Sequence, residues 1–71
     1  MQVRISDETL LPDLLDYLRS QVDAVVTQLG PDELEANILG YGLEGASMEL
    51  DLRLRAFQSA HPGVRVERVD E

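Results

Sequence analysis

Residues 22 to 39 constrain this chain most: two β-prone runs flank Gly30-Pro31-Asp32-Glu33. Proline presets φ for a turn, and glycine and aspartate favour turn conformations, so the stretch predicts a β-hairpin. In the second arm Leu34, Ala36 and Ile38 alternate with Glu35 and Asn37, which assigns the first set to a buried face. The first arm, Val22 to Leu29, sets Ala24 and Val26 against Val25 and Thr27. All four suit a strand, so its buried face stays open.

Each arm leads to a helix and one more strand. Upstream, Val3 and Ile5 alternate with Gln2 and Arg4 as a half-buried strand. Ser6, Asp7 and Thr9 then offer capping oxygens, and Pro12 belongs in the first helical turn, where its missing N–H costs nothing. Leu10, Leu11, Leu14, Leu15 and Leu18 share one arc at 100° per residue, opposite Asp13, Asp16, Arg19 and Ser20. That stripe is core, because it is too short for a zipper. Downstream, Gly40-Tyr41-Gly42 ends a strand, and a second helix is predicted from about Ala46 to Ala60. His61-Pro62-Gly63 stops it. Val64 and Val66 then alternate with Arg65 and Glu67 as a last strand.

Strand-helix-strand twice over, joined by a hairpin, is the ferredoxin-like βαββαβ plan. The expected fold is α+β: a four-stranded antiparallel sheet with both helices on one face, the strands from Gln2 and Leu34 central, those from Val22 and Val64 at the edges. The β-branched runs at 22 to 27 and 64 to 69 speak against a helical bundle. At 71 residues one domain is expected, small enough that a partner surface would help stabilise it.

Six basic residues, all Arg, stand against fourteen acidic ones, for a net charge of −8. Such a field repels phosphate backbones, so no nucleic-acid partner is expected. The acids are scattered rather than blocked, which argues for a solvated surface over a nucleic-acid mimic. No cysteine is present, which excludes disulfides, thiolate metal sites and Cys nucleophiles. No long apolar run indicates secretion or membrane insertion, so the cytoplasm is the default expectation.

Gly40-Tyr41-Gly42-Leu43-Glu44-Gly45 spells the glycine pattern of dinucleotide-binding loops between a strand and a helix, with Asp70 near the expected downstream distance. The chain is too short for the doubly wound sheet that such a site needs. Glu44 and the net charge oppose a pyrophosphate, so the glycines are assigned to a turn. Ser6-Asp7-Glu8 is assigned to capping rather than cation binding, since three consecutive ligands form no cage. His61 has no second His or Cys beside it and marks a helix stop. Carboxylate pairs such as Asp32 and Glu33 mean little in so acidic a chain. No catalytic, cofactor or metal residue is assigned, and an enzyme is not expected. Aromatic base-stacking strands, Cys-x-x-Cys loops and phosphate-binding arginine loops, found among proteins of this plan, are also missing.

In the second helix, Leu43, Leu50, Leu54, Phe57 and His61 fall on one arc, the expected core face. Glu49 with Arg53 and Asp51 with Arg55 are spaced as i,i+4 ion pairs. Met48, Leu52 and Ala56 lie on the far side, an apolar ridge suited to a partner helix.

The runs Leu10-Leu11-Pro12-Asp13-Leu14-Leu15-Asp16-Tyr17-Leu18-Arg19, Gly30-Pro31-Asp32-Glu33 and His61-Pro62-Gly63-Val64 resemble those of short bacterial proteins of nearly this length. That resemblance implies no activity. The expected role is a protein-protein interaction module that self-associates as a homo-oligomer, with Met48, Leu52 and Ala56 as its interface. The alternative is a regulatory domain that senses a small metabolite between paired units.

Overall fold

A computed structural model describes residues 1–21 and 23–69. Its elements run β1 (Gln2–Ile5), a 3₁₀ turn (Glu8–Leu10), α1 (Leu11–Gln21), β2 (Ala24–Gly30), β3 (Glu33–Ile38), α2 (Leu43–Ala60) and β4 (Val66–Arg68). The sheet order is β2-β3-β1-β4, antiparallel throughout. This is the ferredoxin-like plan. Val22 and Asp70 lie outside the described residues.

The hairpin forms where the turn residues place it, and Gln28 pairs with Leu34 across it. A register shift between Gln28 and Gly30 bulges the first arm just before the turn. The register also decides the face of β2. Val26 opposes Ala36 and is buried, whereas Val25 opposes Asn37 and is 54% exposed. On the other sheet face the central strands carry Gln2, Arg4, Glu33, Glu35 and Asn37. It is polar and without aromatics, and Arg4 reaches Glu33 at 3.6 Å.

One apolar layer lies between helices and sheet. Val3, Ile5, Leu34, Ala36 and Val66 meet Leu11, Leu14, Leu18, Leu50, Leu54 and Phe57 in it. Asp7 caps the 3₁₀ turn, its Oδ1 accepting from the Thr9 N–H at 3.0 Å and the Thr9 hydroxyl at 2.6 Å. Ser6 does something else: its hydroxyl accepts from the Arg65 N–H at 2.8 Å, joining β1 to the approach to β4.

Four expectations for α2 and β4 need correction. The helix starts at Leu43, not Ala46, because extended Gly42 is its N-cap and its carbonyl accepts from the Ala46 N–H at 2.8 Å. Leu43 has the phase of the core face yet is 84% exposed, since it lies in a first turn that overhangs the packed layer beginning at Ala46. Asp51 pairs with Arg68 of β4 at 2.8 Å, not with Arg55. Glu49 and Arg53 do pair, also at 2.8 Å. The last strand begins at Val66, with Val64 partly buried against the core before it.

Leu50 is fully buried at the centre of the layer. Leu50→Ala should cost about 2–5 kcal/mol, a large part of the stability of so small a domain. A urea titration followed by circular dichroism should show the midpoint collapse; an unshifted midpoint would remove Leu50 from the core.

Candidate functional site

The outer face of α2 carries an uncovered apolar strip. Met48 is 72% exposed and Leu52 56%, one turn apart, and Ala56 follows at the next turn, also exposed. These residues lie opposite Leu50, Leu54 and Phe57, which grip the sheet. The strip cannot turn inward without lifting the helix from the core.

Tyr41 enlarges the strip. A Cβ on Gly45 would stand 3.2 Å from Tyr41 Cδ1 and 3.5 Å from its Cβ, so the side chain lies against the first turn of α2. Gly40 makes the chain reversal before it at φ 84°, a conformation that suits glycine. The glycines of the Gly40–Gly45 motif therefore have structural work: reversal, helix cap and ring seat. Half of the motif is helix rather than loop. Its expected downstream acid, Asp70, falls outside the described residues.

Tyr41, Gly45, Met48, Glu49, Asp51, Leu52 and Arg55 enclose a groove of about 500 Å³ along the helix. Its charged rim is divided. Glu49 is held by Arg53, and Asp51 by Arg68. That contact with Glu49 raises the Arg53 guanidinium above its ordinary range, and the Tyr17 hydroxyl adds to it. Arg55 and Glu44 make no ion pair among the described residues. On the helical wheel they lie together on one flank of the strip, eleven residues apart.

Helical spacing puts Met48, Leu52 and Ala56 on this exposed face, but not Tyr41, Gly45 and Arg55 beside them. A glycine inside a helical pattern was the available signal, since it marks a close approach. Arg55 was hidden by its apparent pairing with Asp51.

The other candidates resolve into local structure. His61 Nδ1 lies 2.9 Å from the Phe57 carbonyl, and its ring stacks on Phe57 at 4.2 Å. It closes the C-terminus of α2. Among the described residues, no group of three or more His, Cys, Asp or Glu is placed to hold a metal ion. No described helix is long and apolar enough to cross a membrane.

No protein-family model, no curated protein and no solved structure gives a significant match to the chain. The resemblance to short bacterial proteins has no counterpart in these comparisons.

Gly45→Ala sets two effects against each other. Alanine is favoured over glycine by about 1 kcal/mol in a helix interior, and by less in a first turn such as that of Gly45. The added methyl group must displace the Tyr41 side chain, 3.2 Å away. Tyr41 is 56% exposed, which leaves its ring room to swing toward solvent, so the helix gain should win. The melting temperature should rise by a few degrees, while the ring-current shifts of Tyr41 on neighbouring protons disappear. A fall in melting temperature would show that the ring is locked in place.

Proposed function

We propose that this protein is a self-associating interaction module whose contact surface is the outer face of α2. The observation that carries the reading is the exposed Met48–Leu52 ridge beside Glu44 and Arg55, two charges of opposite sign that make no ion pair among the described residues. A helix ridge of this kind is complementary to itself when two copies run antiparallel about a two-fold axis.

The register follows from the spacing. With the axis between Met48 and Leu52, Met48 of each copy meets Leu52 of the other. Arg55 then lies beside Glu44 of the second copy on one flank. Ala56 lies over Gly45 and the Tyr41 ring on the opposite flank. Every apolar residue of the ridge gains a neighbour, and both unpaired charges gain a counter-charge. The ridge residues supply the affinity; the rim pair fixes direction and adds little energy, as exposed ion pairs do.

Leu52→Glu places a charge at the centre of the ridge and leaves the core face untouched. Sedimentation should move to lower mass with the circular dichroism of the fold retained; identical sedimentation of wild type and variant would remove the ridge from any contact. The register has its own test. Arg55→Glu should weaken association by about 0.5 kcal/mol or more, and adding Glu44→Arg should recover most of it. Recovery that fails, with both single variants folded, would rule out this antiparallel alignment.

A further inference from the structure

We infer that the free edge of β2 is a second association surface, pairing antiparallel with the β2 edge of another copy about a two-fold axis at Val26. This goes beyond the α2 contact and does not rest on it. The Leu39 N–H donates to the Asp23 carbonyl at 2.8 Å. Bonded and non-bonded pairs alternate along an antiparallel ladder. With the observed register, Val25 and Thr27 spend their backbone groups on β3, whereas those of Ala24, Val26 and Gln28 point outward. Arg19 confirms the phase: its Nη2 donates to the Val26 carbonyl from the outside, at 3.0 Å.

The two sheet edges differ. β4 is three residues long, and its Val66 N–H already donates to Gln58 Oε1 of α2 at 2.9 Å. β2 is seven residues long and uncharged from Ala24 to Gly30; among the described residues, side chains reach its backbone at the Val26 carbonyl, from Arg19, and at the Gly30 carbonyl, from Gln28 of the strand itself at 3.0 Å. A long uncharged edge with open backbone groups accepts another strand. Its occupant is assigned as a second copy on three grounds. The outward residues are spaced symmetrically about Val26, so Ala24 meets Gln28 of the other copy and Val26 meets Val26. Both strands are already extended, so pairing orders no flexible segment. A chain of charge −8 repels its own copies, and this strip opposes no like charges. The pairing ends before the bulge, and it sets exposed Val25 against Thr27 of the second copy. Arg19 must leave the Val26 carbonyl for the seam to close.

The experiment uses the full chain carrying Leu52→Glu, which takes the α2 ridge out of play. Gln28→Pro deletes one outward N–H without touching the β2–β3 ladder; Gln28→Ala keeps that N–H. In sedimentation equilibrium across a concentration series, the Leu52→Glu protein and its Gln28→Ala derivative should dimerise alike. The Gln28→Pro derivative loses two seam bonds by symmetry, so its dissociation constant should rise by about tenfold or more. A Leu52→Glu protein that is monomeric throughout, or proline and alanine derivatives that dimerise equally, would overturn the inference. Should the proline derivative not fold, amide exchange of the Leu52→Glu protein decides. The Ala24, Val26 and Gln28 N–H groups should gain protection as concentration rises, and unchanged protection would overturn the inference equally.

Discussion

The packing of two helices on one face of one sheet is the constraint from which the rest follows. In such a two-layer fold a helix has one ridge in the core and one in water. For α1 the division is clean: four leucines are buried, and Asp13, Asp16 and Arg19 are outside. For α2 it is not, because Met48 and Leu52 lie outside while Leu50 and Leu54 fill the core. No movement within a two-layer domain can bury both ridges of one helix. The outer ridge is therefore a property of the surface, and it can be covered only from outside the fold.

The same plan creates two sheet edges, and each helix attends to one of them. Arg19 of α1 reaches the Val26 carbonyl on β2, and Gln58 of α2 receives the Val66 N–H on β4. These hooks occupy corresponding places in the two strand-helix-strand halves. They differ in how much they leave uncovered. One glutamine nearly finishes a three-residue edge, and the Asp51–Arg68 pair ties down its end. One arginine on a seven-residue strand leaves most of the edge open. Edge protection here does not keep pace with strand length, and β2 is the strand that falls short.

The fold was legible because its determinants are local: a proline-glycine turn, alternation in β1 and β3, and a leucine arc in α1. What was illegible depended on pairing. Ala24 to Thr27 is a run of apolar and β-branched residues with no charged member to mark a face, so its register against β3 is what chooses Val26 for the core. Asp51 sits four residues from Arg55, and local spacing favoured that pair. Position 68 on β4 supplied the nearer guanidinium. The wheel placed Leu43 correctly in angle but carries no information about where the sheet beneath a helix ends. The site was half legible for the same reason: a helical ridge can be read from spacing, but the seat of Tyr41 on Gly45 is a tertiary contact.

The two proposed surfaces have a joint consequence that neither has alone. One isologous contact closes into a dimer. Two distinct ones on the same protomer, joined alternately, form an open array unless their axes happen to close it. Each added copy also brings a charge of −8. Within a Debye length of about 10 Å at 0.1 M salt, that charge opposes further growth. The Glu44–Arg55 contacts of the proposed α2 dimer weaken as salt rises, while the repulsion among whole copies weakens as well. The seam at β2 contains no charged side chain apart from the displaced Arg19, so screening relieves repulsion there without removing an attraction. Ionic strength should thus shift the balance from the α2 contact toward the β2 seam, making assembly size a function of salt as well as of protein concentration.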